Sequence, residues 1–83
     1  MRLELMYFAW VRERIGLPKE TIETNAQTVA ELIEELAARE ERYALAFSDL
    51  SSLRVAVDQV LTEFDAPLKE AREVAFFPPM TGG

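Results

Sequence analysis

A short apolar segment, residues 73–77, is followed directly by two consecutive prolines, Pro78 and Pro79. The last two residues of the sequence are glycines. The segment 73–77 is rich in valine and phenylalanine, which predicts a β-strand. The prolines end this strand because they lack the N–H that a strand ladder needs. Paired prolines favour a stiff, extended backbone, and glycine, which has no Cβ, fits narrow channels. These features predict a strand that delivers an extended tail with an unhindered carboxylate into another protein; the alternative is a frayed chain end.

Composition limits the chain to one small domain with little catalytic chemistry of its own. Its 83 residues are 49% hydrophobic, which is enough to build a core. Histidine and cysteine are both absent, which excludes disulfides, thiol nucleophiles, histidine-based triads and nearly all zinc sites. We therefore expect no metal, no cofactor bound by this chain and no enzyme activity of the chain on its own.

The charge pattern narrows the choice of partners. The net charge is −6 and no run of basic residues occurs, whereas binding to nucleic acids requires clustered lysine and arginine. The apolar run at residues 5–11 is too short to span a bilayer and no cleavage site of small residues follows it. We predict a cytoplasmic protein that binds neither nucleic acid nor membrane, and whose acidic surface suits partners with basic docking surfaces.

Alternation of apolar and polar residues predicts a set of short strands. In residues 2–8, Leu3, Leu5 and Tyr7 share one face of a first strand. Further strands are predicted at residues 21–24, 53–57, 60–62 and 73–77, with turns at Asp58-Gln59 and at residues 65–67.

Helical spacing is clearest after Thr28, which together with Glu31 forms a capping-box pattern. An apolar stripe follows, made of Val29, Leu32, Ile33 and Leu36. Glu35 and Arg39 form an i,i+4 pair on the outer side, where the glutamates are typical of solvated surface rather than of a metal site. Shorter helical segments are predicted at residues 9–15, ending at Gly16, and around Tyr43 and Phe47.

The order of these elements predicts an α+β fold of the β-grasp (ubiquitin-like) type. We expect a mixed sheet of four to five strands, one main helix packed on one face, and the last strand beside the first in the middle. The domain would cover residues 1–77 and a flexible Gly-Gly tail residues 78–83. Phe76 and Phe77 must point to opposite faces of the sheet. One would fill the core and the other would lie on the open face as an anchor for a partner, and the sequence leaves open which is which.

The ending from Val74 to Gly83 closely resembles the small, sulfur-carrying subunits of molybdopterin synthase. The resemblance covers essentially the whole chain, and the Phe-Phe-Pro-Pro-x-Thr-Gly-Gly ending is its most specific part. Other matching segments are Tyr7-Phe8-Ala9, Val11-Arg12-Glu13 with Gly16, Thr28-Val29 with Leu32, Ala56-Val57-Asp58-Gln59 and Asp65-Ala66-Pro67-Leu68.

The sequence departs from this family at two positions. The family usually has glycine where this chain has Ala71, and commonly asparagine where it has Asp58. Alanine resists the positive φ that glycine permits, so the geometry of the turn before the last strand is in question.

The resemblance implies a sulfur carrier for molybdenum cofactor biosynthesis. An ATP-dependent, ubiquitin-activating-like enzyme would adenylate the carboxylate of Gly83, and a sulfur donor would convert it to a thiocarboxylate. The sulfur would pass to a pterin precursor in the large synthase subunit, within a heterotetramer of two large and two small subunits. ATP would be used by the activating enzyme. The predicted reactive residues are Gly82 and Gly83, and the predicted partner contacts are Phe76, Phe77, Pro78, Pro79, Met80 and Thr81.

Three other functions remain compatible with the residues. A sulfur carrier for another pathway, such as thiamine thiazole synthesis, shares the fold and the Gly-Gly end. A ubiquitin-like modifier would join Gly83 to lysines of other proteins. A non-catalytic interaction domain would carry the tail incidentally.

Overall fold

The structure, a computed structural model whose described part is residues 1–79, contains a mixed sheet packed on one side against helices. The strands are β1 Arg2–Tyr7, β2 Lys19–Glu23, β3 Arg54–Val57, β4 Val60–Thr62 and β5 Glu73–Phe77. The helices are α1 Ala9–Ile15, α2 Val29–Arg39 and α3 Glu41–Ala46, followed by a 3-10 turn at Leu50–Ser52.

The last strand lies in the middle of the sheet, as predicted. The strand order is β2-β1-β5-β3-β4. β5 runs parallel to β1 and antiparallel to β3, so both of its edges are paired. The fold is therefore the β-grasp arrangement that the sequence indicated, with the chain leaving the sheet from its central strand.

Thr28 caps the start of helix α2, and its Oγ1 accepts a hydrogen bond from the N–H of Glu31 at 3.2 Å. The predicted capping box is not fully reciprocal, because the Glu31 carboxylate accepts from the N–H of Gln27 at 3.3 Å. The four stripe residues of α2 are all buried. Glu35 and Arg39 form the expected ion pair, 2.9 Å apart.

The core lies between the sheet and the three helices. Tyr7 and Phe76 are the largest fully buried side chains, and Tyr43 and Phe47 close the core from the α3 side. Gly16 ends α1 with a φ of 91°, and its N–H donates to the carbonyl of Arg12. This left-handed position is the one place in the described chain where the fold uses the freedom of glycine.

The two departures from the family pattern fit the fold. Ala71 avoids positive φ, which falls instead on Glu70 at 63°, and the N–H of Ala71 donates to the Leu68 carbonyl at 3.0 Å. Asp58 occupies the first position of the two-residue turn between β3 and β4, with a φ of 49°. Its Oδ1 accepts from the backbone N–H groups of Arg72 and Glu73 at 2.9 and 3.0 Å, which ties this turn to the start of β5.

Strand β2 begins two residues earlier than the predicted strand at 21–24. Lys19 and Glu20 pair with Met6 and Leu5 of β1. Lys19 and Glu20 are charged, so the apolar alternation that predicts a strand is missing at these two positions. An edge strand tolerates such residues because one of its sides faces water. The shift places Glu20 in the strand, on the side that faces the core.

Candidate functional site

Phe76 fixes the end of β5 inside the core. Its side chain is 0% exposed. Its ring stacks on Tyr7 with the centroids 6.0 Å apart and packs at a tilt on Phe47 at 5.0 Å. The Phe76 carbonyl accepts from the N–H of Phe8 at 3.1 Å. The strand is thus held by backbone and side chain one residue before it leaves the sheet.

Phe77 points to the other face of the sheet, as the alternation of a strand requires. It pairs with Arg54 of β3 and is half-buried, as are Pro78 and Pro79. The partner contacts predicted from the sequence included both phenylalanines. The burial of Phe76 corrects that prediction, because Tyr7 and Phe47 occupy its surroundings, and it leaves Phe77 as the one at the surface.

The remaining predicted site residues lie outside the described part of the chain. These residues are Met80, Thr81, Gly82 and Gly83. The described site is therefore the base from which the tail departs.

The open face of the sheet is apolar at its centre. One row crosses four strands in register and consists of Met6, Ala75, Ala56 and Leu61. Leu61 is 66% exposed, and Phe8, at the same end of the sheet as Phe77, is 43% exposed. The name open face is used below for Met6, Phe8, Ala56, Leu61, Ala75 and Phe77. Large exposed side chains around small, flat positions are typical of a protein-binding surface.

On the opposite face, Glu20 joins three elements through tyrosine hydroxyls. Its Oε2 accepts from Tyr7 Oη at 2.8 Å and from Tyr43 Oη at 2.6 Å. Arg42, next in chain to Tyr43, donates from Nη1 to the carbonyl of Ile15 at 2.8 Å and thereby ties α3 to the end of α1. The name tyrosine–carboxylate cluster is used below for Tyr7, Glu20 and Tyr43.

Burial and the Glu20 carboxylate both hold the cluster hydroxyls in their protonated form. Burial, followed by the hydrogen bond to Glu20, raises the pKa of Tyr43 to about 12. The same two causes raise the pKa of Tyr7 still further above its usual value. Both hydroxyls therefore remain hydrogen-bond donors throughout the neutral range.

The described residues offer little reactive chemistry. Within residues 1–79, histidine, cysteine, aspartate and glutamate side chains form no group of three or more that would hold a metal ion. No helix in the same stretch has the length and apolar character that crossing a bilayer requires.

Comparison with known proteins places this geometry in a family. A model described as the ThiS family matches residues 5–83. The chain belongs to this family. It is 43% identical over 81 residues to the molybdopterin synthase sulfur carrier subunit of Escherichia coli (strain K12), which covers 98% of this chain and 99% of that protein. The resemblance to molybdopterin synthase small subunits is thereby confirmed.

Two solved structures share the fold of this ThiS-family chain. The putative molybdopterin converting factor, subunit 1, from Pyrococcus furiosus aligns with a TM-score of 0.75 at 29% identity, over 96% of this chain and 99% of that one. A chain in the complex of subunits 1 and 2 of molybdopterin-converting factor from Helicobacter pylori 26695 aligns with a TM-score of 0.65 at 24% identity, over 100% of both chains.

Sequence reasoning did not single out Phe8, Leu61 or Glu20, which the structure places on the open face or in the tyrosine–carboxylate cluster. Phe8 and Leu61 join Phe77 on the open face only because β1, β5, β3 and β4 assemble in that order. One signal in the sequence could have located Glu20: it lies two residues before Ile22, and residues two apart in a strand share a face, which here is the core side.

Proposed function

We propose that this chain is a sulfur carrier for molybdopterin synthesis, with Gly83 as the residue that carries the sulfur. The carboxylate would react with ATP in the activating enzyme to give an acyl-adenylate and pyrophosphate. Sulfide, or a donor equivalent to it, would then displace AMP and leave a terminal thiocarboxylate. The thiocarboxylate sulfur is a soft nucleophile, suited to attack on a pterin precursor.

The observation that carries this proposal is the match over nearly the full length to a protein named as a sulfur carrier subunit, at 43% identity. That relative is named for molybdopterin, which favours this pathway over thiamine thiazole synthesis. The structure supports the proposal through β5, because a strand paired on both edges gives the tail a fixed base. In such a carrier the protein contributes chiefly by positioning the reacting atom.

We further propose that the large synthase subunit docks on the open face. Support comes from the exposed apolar side chains of Phe8 and Leu61, which lie on the same face as Phe77. The Helicobacter pylori structure, whose fold is similar, is itself a complex of subunits 1 and 2. A partner seated on this face would stand beside Pro78 and receive the tail directly. The heterotetramer, the ATP-dependent activating enzyme and the cytoplasmic location belong to the same proposal.

Intact-mass measurement tests the carrier proposal. The chain is incubated with the activating enzyme, ATP and sulfide, and we expect the exchange of one oxygen for sulfur, which fragmentation places on Gly83. A matched control lacks Gly83 and should keep its melting temperature while remaining unmodified. An unmodified wild-type C-terminal peptide under these conditions would contradict the proposal.

A further inference from the structure

A carboxylate stands where the fold would normally place an apolar side chain. Glu20 pairs with Leu5 in the sheet, and paired residues share a face, so its side chain lies on the core side of β2 together with Ile22. Glu20 is half-buried, and even partial removal of a carboxylate from water is costly unless it is well hydrogen-bonded. Here the hydrogen bonds come from Tyr7, which is 1% exposed, and from Tyr43, which is 4% exposed.

Stability alone does not require such a cluster. Replacing a buried polar group and all its partners with apolar side chains of similar shape is often neutral or stabilising. Hydrogen bonds differ from apolar packing in being directional, so the cluster sets the orientation of the Tyr7 ring as well as filling space. A polar cluster at this place therefore points to a need for orientation.

Tyr7 is in direct contact with Phe76, the residue that holds the base of the tail. Tyr7 and Phe76 are neighbours in the parallel pairing of β1 and β5, and their rings are stacked with an angle of 17° between the planes. The next residue along β1, Phe8, makes the hydrogen bond to the Phe76 carbonyl. A single side chain, that of Tyr7, thus separates Glu20 from Phe76, and Phe76 lies two residues before Pro78.

We propose that Glu20 is a positioning residue for sulfur transfer, which holds Tyr7 against Phe76 and so fixes the direction in which the tail leaves the sheet. This inference rests on the proposed function. Glu20 belongs to the helix-covered face, so it does not contact a partner that docks on the open face. Its effect is on the geometry of delivery, where small displacements change rates strongly.

The decisive variant replaces the whole cluster with apolar side chains, Tyr7→Phe, Glu20→Leu and Tyr43→Phe together. We expect its free energy of unfolding to equal or exceed that of the wild type. The rate of sulfur transfer from the thiocarboxylated carrier at saturating large subunit should fall roughly tenfold. The dissociation constant for the large subunit should stay unchanged, because the open face is intact.

Two further variants separate positioning from stability. Glu20→Gln keeps an oxygen acceptor for the tyrosines and should retain most of the wild-type transfer rate. Thr24→Val removes the bond from Thr24 Oγ1 to Glu35 Oε1, 2.7 Å long, near the start of β1 and away from the tail. It should lower stability and leave the transfer rate unchanged. Should the triple variant fail to fold, Tyr7→Phe alone serves, with a reduced saturating rate at unchanged affinity as the expected result.

The outcomes distinguish this inference from the proposed function. Wild-type transfer by the apolar triple variant, or by Tyr7→Phe in its place, would overturn the role of Glu20. So would a loss of rate in Thr24→Val that matches its loss of stability. A wild-type chain that takes up no sulfur, or passes none on, would overturn the proposed function instead.

Discussion

The two faces of β5 share one backbone and have opposite environments. On the helix-covered face, Phe76 is enclosed by Tyr7 and Phe47, while one residue later Phe77 stands on the open face beside small and exposed side chains. The inner face holds the strand in place and the outer face remains available for contact. Two phenylalanines that look equivalent in the sequence therefore have different surroundings: Phe76 is packed in the core, and Phe77 lies on the face where we propose that the partner docks.

The largest expected effect is the difference between Phe76→Ala and Phe77→Ala. The first leaves a cavity in the core and should lower the free energy of unfolding by about 3–5 kcal/mol, the range for buried phenylalanine. The second removes a half-buried side chain from the surface and should cost much less. Urea unfolding monitored by circular dichroism measures both, and equal losses would break the distinction between the two faces.

A smaller effect is expected at alkaline pH, on the helix-covered face. The pKa of Tyr43 is about 12 in the folded chain and near 10 when unfolded. Because the folded state keeps its proton longer, stability is fully present below pH 10 and is lost as pH rises from about 10 to 12. The share of this loss that is due to Tyr43 should be on the order of 2 kcal/mol, less than the loss expected for Phe76→Ala, and Tyr7 adds its own share.

Unfolding curves measured across this pH range test the prediction, with Tyr43→Phe as the control. The variant should show a shallower decline, since Tyr7 alone remains to contribute. A decline of equal slope in both proteins would place the titrating group elsewhere.

The smallest effect on stability is expected on the open face, from Leu61→Glu. The side chain is 66% exposed, so the free energy of unfolding should change by no more than about 0.5 kcal/mol. Binding to the large subunit, measured by calorimetry, should nevertheless weaken by at least roughly tenfold, because a charge would be buried at the contact. Leu45→Glu is the matched control, since Leu45 is 58% exposed on α3, away from the open face.

The matched pair sharpens the comparison of the two faces. If Leu61→Glu left binding unchanged and Leu45→Glu weakened it, the large subunit would dock on the helices and not on the open face. Equal weakening in both variants would indicate an effect of total charge rather than of place.

The sequence predicted the fold well where the pattern is local. Alternation located β1, the stripe of α2 located that helix, and the prolines after Phe77 located the end of β5. The central position of β5 followed from apolar residues on both of its sides. These features depend on neighbours within a few residues, where spacing determines the face that a side chain occupies.

The site was less predictable because its contacts join distant parts of the chain. Which phenylalanine faces inward depends on the register of Phe76 with Tyr7 and Val55. Glu20 lies 13 residues from one of its tyrosine partners and 23 from the other. No local pattern contains such pairings. The assignment of Gly83 came from resemblance rather than from geometry.

The parallel pairing of β1 and β5 has a mechanical consequence. The chain enters β1 at one end of the sheet and leaves β5 at the other, so a force applied between these two ends loads the pairing of the strands in shear. The bridging hydrogen bonds then bear the load together rather than opening one at a time.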